Sequence, residues 1–196
     1  AETWVTRRLW PTRGCSTRSA PGLPSHPRRT ERDPDILIEG DPRPEPGPTL
    51  IVDIDGVISD ASARQHHLDG PVRDWWAFFD ASVDDPLIAE GLDLATSLAK
   101  DRVVALVTAR PARLAPTTLT WLDRHGVQWD LIAMRTDDDH RTSSDTKRDL
   151  LADLRVAGYQ PVLALDDDVS NLAMYRAEGV ATIYVHSGYY DERPGA

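Results

Sequence analysis

Two aspartates one residue apart, Asp53-Ile54-Asp55, follow the apolar run Leu50-Ile51-Val52 and precede Gly56. A single acid there would read as a turn residue at a strand end. A second acidic stop, Asp166-Asp167-Asp168, closes the apolar run PVLAL at 161–165. If these segments are neighbouring strands, four or more carboxylates crowd one edge. Two like charges ~4 Å apart cost ~4 kcal/mol at an effective dielectric of ~20, so a cation must offset the repulsion. Ligands that are all oxygen, with no nearby His or Cys, suit Mg²⁺ rather than zinc.

Two further residues stand where charge and hydrogen bonding matter. The run RVVALVT ends at Thr108, followed by Ala109, Arg110 and Pro111. A hydroxyl at a strand-to-helix junction suits a phosphate seat, and it equally suits an N-cap before a first-turn proline. Lys147 opens a helix candidate, where the dipole disfavours a cation, which points to a negative group beside it.

The elements that must position these residues alternate along the chain. Strand candidates lie at 49–55, 102–108, 130–134, 161–167 and 180–186, with helix candidates near 86–100, 111–125, 144–157 and 169–178. Gly126, Gly158 and Gly179 follow three of those helices as left-handed C-caps. Nearly continuous apolar strands separated by helices indicate an α/β, doubly wound parallel sheet over about 49–191. In such sheets ligands bind beyond the carboxyl ends of the strands, where the aspartates fall.

In order, DIDGV at 53–57, Thr108, Lys147 and the Asp166-Asp167 pair resemble the four motifs of the haloacid dehalogenase (HAD) superfamily. A narrower resemblance is to the 3′-phosphatase domain of bacteriophage-type polynucleotide kinase-phosphatases. It rests on Arg64 nine residues after Asp55, on LVTARP at 106–111, and on WLDRHGVQWDLIAMR at 121–135 followed by Arg141 and Lys147. LALDDD and HSGYYD at 186–191 extend it. Asp168 departs from the family, which often has a basic residue there.

The resemblance implies a HAD-like fold with a small flap and a Mg²⁺-dependent phosphomonoesterase working through an aspartyl-phosphate. Asp53 would be the nucleophile and Asp55 the general acid and base. Thr108, with the amides of Ile54 and Ala109, would bind the phosphoryl group, and Lys147 would balance its charge. Arg64 and Arg110 would bind substrate. Mg²⁺ would join Asp53, the Asp55 carbonyl and Asp167, with Asp166 behind them. Asn171 would stand near the metal or cap the next helix. The expected substrate is a polynucleotide 3′ end. A small phosphomonoester such as a nucleotide is the alternative, and a noncatalytic binding protein on the same scaffold is a reading of another class. No G-x-x-x-x-G-K-[ST] loop is present, so a kinase or ligase would be a separate partner.

Other features bound these readings. The chain of 196 residues carries a net charge of −10. Residues 1–32 hold seven Arg against two acids, so the remainder is strongly acidic, which argues against a broad nucleic-acid-binding surface. Nine of the fifteen prolines lie in residues 1–48. Residues 1–47 therefore read as a disordered Arg/Pro-rich tail and 48–196 as the domain. Trp4 and Trp10 in that tail have no account. The lone Cys15 excludes an internal disulfide. With no apolar segment long enough for a membrane span and no signal-like start, the expected location is cytoplasmic.

About thirty residues between Asp55 and the helix near 86 remain for the flap, which contains His66-His67 and WWAFF at 75–79. Adjacent histidines rarely face one site, so solvent or flap contact is expected of them. WWAFF either stacks a nucleobase or packs its apolar side on the core. Asp137-Asp138-Asp139-His140 reads as a solvated acidic loop.

Overall fold

A computed structural model describes residues 37–69 and 71–189. The chain divides at Arg32/Asp33, and all described residues belong to the second unit. The Arg/Pro-rich stretch before residue 37, with Trp4, Trp10 and Cys15, lies outside them.

Six strands form one sheet: β1 (Leu37–Glu39), β2 (Pro48–Val52), β3 (Val103–Pro111), β4 (Leu131–Arg135), β5 (Gln160–Asp166) and β6 (Ala181–Tyr184). Their spatial order is β1-β4-β3-β2-β5-β6. Every neighbouring pair is parallel except β1 with β4, which run antiparallel. Among the described residues are five α-helices: α1 (Trp75–Asp80) and α2 (Ala89–Leu98) lie between β2 and β3, and α3 (Ala115–Arg124), α4 (Ser143–Val156) and α5 (Val169–Ala177) each precede one of the next three strands.

Strand alternation divides the core between the two sheet faces. Leu50, Val52, Val104, Leu106, Ile132 and Leu165 pack with Ala95 of α2 and with Trp121 and Leu122 of α3. Ile51, Ala105, Val107, Leu131 and Ala133 pack with Leu150, Leu151 and Leu154 of α4 and with Met174 and Tyr175 of α5. Helices on both faces make the central strands apolar throughout.

The structure revises the sequence reading in three places. The sheet is mixed, because β1 is an antiparallel edge. That strand lies inside the stretch assigned to the tail: the proline-dense residues after it obscure the short pair Leu37-Ile38, whose strand pairs with Leu131–Ala133. Pro111 ends β3 and does not open a helix, so Thr108 is a strand residue and not an N-cap. The chain then makes a 3₁₀ turn over Ala112–Leu114, and α3 starts at Ala115 with Pro116 in its first turn. Gly126, Gly158 and Gly179 have positive φ, as expected of left-handed caps.

From β2 the chain proceeds through β3 and β4 on one side, then returns to β5 and β6 on the other. The carboxyl ends of β2 and β5 therefore flank the topological switch point, where a crevice forms. The insert between β2 and α2 consists of 3₁₀ turns at Ser62–Leu68 and Ala81–Asp84 around α1. No large cap domain is present among the described residues.

Candidate active site

The crevice contains two groups of charged side chains with different surroundings. In the first, Lys147 Nζ lies 2.7 Å from Asp53 Oδ2 and 2.7 Å from Asp166 Oδ2. Asp53 leaves β2 and Asp166 ends β5, and α4 carries Lys147 across to both. Asn171 Nδ2 donates to Asp166 Oδ1 at 3.0 Å, and the Asp168 amide donates to the same oxygen at 2.9 Å. Asp166 is thereby fixed from three sides.

Asp168 also caps α5 by accepting from the Ser170 amide at 2.8 Å. That role overturns the capping alternative for Asn171, which lies within α5 and turns inward. It also gives a local reason for an acid at the position where a basic residue was expected.

Asp53, Asp166 and Asp167 each offer an oxygen within 4.8 Å of the others, and all three are buried. Burial pushes Asp53 well above its ordinary value, against the pull of Lys147. Burial likewise pushes Asp167 up to about 7. Lys147 is raised despite its own burial, by Asp166 and then Asp53, and so stays protonated.

Three carboxylates against one ammonium leave two negative charges when all are ionised. Asp167 Oδ2 is buried without a hydrogen-bond partner. Gly56, at φ 85°, sits against that carboxylate, and a Cβ there would collide with it. An oxygen-only donor set, an orphaned carboxylate oxygen and a deficit of two positive charges fit a hard divalent cation.

The second group surrounds Asp55. Arg110 Nε lies 3.0 Å from Asp55 Oδ1, and Arg110 Nη2 and Arg64 Nη2 each lie 2.5 Å from the same oxygen. Behind them Asp85 Oδ2 accepts from Arg64 Nη2 at 2.7 Å and from Ser59 Oγ at 2.7 Å. Arg64 also lies over the Phe78 ring, 4.2 Å from its centroid. Two acids and two arginines make this group neutral.

Burial works to raise Asp55, but Arg110 and then Arg64 outweigh it and hold the carboxyl well below the usual carboxylate range. Two neighbouring carboxylates are thus driven in opposite directions. That separation of proton affinities is characteristic of paired groups with different chemical duties.

The remaining expected residues fall around these groups. Thr108 is buried, and its Oγ accepts from the Arg110 amide at 3.1 Å, leaving the hydroxyl hydrogen to donate elsewhere. The Ile54 amide donates to Asp53 Oδ1 at 2.8 Å. Ala109 lines the cavity beside Asp53, Asp55 and Asp167. Arg64 and Arg110 are buried behind Asp55 and contact it directly, so the carboxylate and not the guanidiniums faces the cavity.

The His66 and His67 rings lie 4.0 Å apart, tilted by 39°, and His66 Nδ1 is 2.9 Å from the Ala63 carbonyl. Within the acidic loop, Asp139 accepts from Arg141 and from Thr146 Oγ1.

Sequence reasoning missed Asp85 and Ser59. Asp85 is placed by α3, whose Trp121 Nε1 donates to its carbonyl at 2.8 Å. Tyr189, from the closing segment, accepts from the Ala61 amide at 2.7 Å and donates to Asp60 at 2.9 Å, tying that segment to the flap.

Several solved structures share the fold. A chain of the Pnkp1/Rnl/Hen1 RNA repair complex is similar with a TM-score of 0.60 and 20% identity, over 71% of this chain and 42% of that one. This chain therefore spans less than half of its length. The class C acid phosphatase from Bacillus anthracis matches with a TM-score of 0.51 and 16% identity, over 76% and 70% of the two chains. A haloacid dehalogenase-like hydrolase from Streptococcus pneumoniae matches with a TM-score of 0.50 and 13% identity, over 69% and 83%. No curated protein matches the sequence. A family model described as the polynucleotide kinase PNKP phosphatase domain matches residues 47–190. With most of its length matched by that model, the chain belongs to the PNKP phosphatase-domain family of HAD-like phosphatases.

Proposed function

We propose that this domain is a Mg²⁺-dependent phosphomonoesterase that removes 3′-phosphates from polynucleotide ends through an aspartyl-phosphate on Asp53. The observation that carries the reading is the pair of neighbouring carboxylates with opposed environments, Asp53 buried and Asp55 partly open to the cavity. Asp53 sits beside Lys147 and the unpartnered Asp167 oxygen, and Asp55 sits between two buried arginines.

In this reading the Asp53 carboxylate attacks phosphorus in line while the bond to the 3′ oxygen breaks. Asp55 gives its proton to that departing oxygen. Water then attacks the acyl phosphate, Asp55 takes the proton from the water, and Asp53 recovers its carboxylate as phosphate is released. Arg64 and Arg110 hold Asp55 ionised before substrate arrives. A phosphate dianion bound beside Asp55 adds negative charge and raises its proton affinity, so Asp55 takes up from solvent the proton that it gives to the leaving oxygen.

Thr108 and the Ala109 amide orient the phosphoryl oxygens, and Lys147 offsets the charge that develops between them and Asp53. Asp53, Asp167 and the Asp55 carbonyl would hold Mg²⁺, with Asp166 fixing Lys147 behind them. The chemistry that ion supplies when bound is charge neutralisation at the phosphoryl oxygens.

Substrate class follows from access. The cavity of about 720 Å³ reaches from Asp53 to the aromatic residues of α1, and the short insert leaves its mouth uncovered by a large cap. Such a site admits a chain end more readily than it encloses a metabolite. The likeness to a chain of an RNA repair complex supports the same reading, and a separate ligase or kinase as partner with it.

The test is phosphate release from a 3′-phosphorylated oligonucleotide and from 3′- and 5′-mononucleotides, with Mg²⁺ or EDTA. Preference for the oligonucleotide, lost in EDTA and in Asp53→Asn, is expected. Preference for mononucleotides, or release that survives Asp53→Asn, would overturn the reading.

A further inference from the structure

The catalytic cavity is larger than a phosphoryl group requires, and its far wall is aromatic. Trp75, Trp76 and Phe79 of α1 line it together with Asp53, Asp55 and Asp167. The two tryptophans are 46% and 62% exposed, although large aromatic side chains are usually mostly buried.

Their rings are nevertheless held in place. The Arg113 guanidinium lies over one face of Trp76, 3.6 Å from the ring centroid, and is anchored in turn by Asp80. Trp75 stacks on Phe79 with an interplanar angle of 29° and meets Phe78 edge-on. Phe78 is the buried member of the helix, and its carbonyl accepts from Arg64 Nη1 at 3.3 Å. Trp75 and Phe79 are therefore packed on the residue whose carbonyl holds Arg64, and Arg113 holds Trp76.

Arg113, which also lines the cavity, covers one face of Trp76 and leaves the opposite face and the edge for a flat ring. A rigid, half-open indole in the cavity that contains Asp53 is a stacking surface for a flat ring. The exposed Arg73 lies on the same cavity and supplies positive charge for an anionic backbone, and Arg141, ion-paired with Asp139 and Asp149, lies there too.

We infer that Trp76, supported by Trp75, forms a subsite that stacks the terminal nucleobase of a single-stranded 3′-phosphorylated end. The inference rests on the proposed 3′-end activity and names the feature of the substrate that the domain reads. Stacking is tolerant of base identity, because every base offers a π face. The subsite thus recognises the presence of a base and not its sequence. The occupant is a nucleobase rather than a protein partner because the wall is continuous with the catalytic carboxylates.

The experiment compares kcat/KM for two 3′-phosphorylated oligonucleotides that differ only at the last nucleotide, one carrying its base and one an abasic tetrahydrofuran analogue. The base-bearing end is expected to be preferred about 5- to 150-fold by the wild-type protein, the equivalent of about 1–3 kcal/mol of stacking. Trp76→Ala is expected to bring that ratio to within about two-fold of unity, while Trp76→Phe retains most of it. Each ratio is measured within one protein, so a change in the folded fraction cancels.

A wild-type ratio near one, or a ratio unaffected by both Trp76→Ala and Trp75→Ala, overturns the subsite and leaves the tryptophans to a protein partner. Hydrolysis of mononucleotides with no release from either oligonucleotide is a separate outcome. It overturns the 3′-end reading, and the subsite falls with it.

Discussion

Raising the pH from about 5.5 to about 8 in EDTA is expected to lower the thermal midpoint of the metal-free domain, and saturating Mg²⁺ is expected to reverse the loss. Burial raises Asp167 from its ordinary 3.8 to about 7. The folded protein therefore retains a proton that the unfolded chain has already released. Stability falls with pH wherever the folded state binds more protons, so this contribution is complete below about pH 4 and is lost as pH rises through about 7.

Between about pH 5.5 and pH 7 the loss from this one group is about 2 kcal/mol, at ~1.4 kcal/mol per pH unit. Asp53, also raised by burial, acts in the same direction. Asp55 does not oppose them, because its proton affinity is lowered on folding and its contribution is already complete above about pH 4.

For a domain of this size ~1 kcal/mol moves the midpoint by about 2–4 °C, so a fall of about 4–8 °C is expected. Mg²⁺ requires the same carboxylates to be ionised, so its stabilising increment grows with pH. Scanning fluorimetry of wild type and Asp167→Asn, each in EDTA and in Mg²⁺, measures both effects. A metal-free midpoint that rises or stays flat over this window, or a Mg²⁺ increment that is the same at both ends, would refute the electrostatic account of the pocket.

Two other perturbations probe the geometry. Arg110→Met removes one arm of the clamp and leaves Asp55 and the buried Asp85 with a single guanidinium, which is expected to cost about 3–5 kcal/mol in urea unfolding. A loss below ~1 kcal/mol would mean that the clamp relaxes or hydrates. Gly56→Ala places a Cβ against the Asp167 carboxylate at a backbone angle that L-residues disfavour by about 1–2 kcal/mol. It is expected to abolish the Mg²⁺-dependent rise in thermal midpoint, and an unchanged Mg²⁺ titration would count against Asp167 as a ligand.

How much of this was legible in the sequence depended on whether a residue's partners were local. Asp53, Asp166 and Asp167 stood out because each ends an apolar strand, and the parallel order brings those ends to the switch point. Lys147 stood out as a cation where the helix dipole disfavours one, and two carboxylates account for it. Asp85 gave no signal: its partner Arg64 is 21 residues away, and their meeting depends on Trp121 of α3.

The edge strand Leu37–Glu39 is three residues long beside a proline-rich segment, too short for a period to register. Pro111 reads as a helix start because proline favours that position, but it is also tolerated at a bulge, and the β3–β4 register shifts between Val107 and Pro111. The exposure of Trp75 and Trp76 against the burial of Phe78 was equally hidden, since WWAFF is apolar on every side and only packing decides which face turns inward.

The central claim joins a nucleophile to a substrate end, and a single-turnover acid quench tests both together. Protein in Mg²⁺ is mixed with an oligonucleotide whose 3′-phosphate carries ³²P, and the quenched protein is digested to locate the label. Transient label on the peptide containing Asp53, absent from Asp53→Asn and absent when the label is on a 5′-phosphate, is the predicted result. Phosphate release with no labelled protein, or equal labelling from the 5′ end, would contradict it.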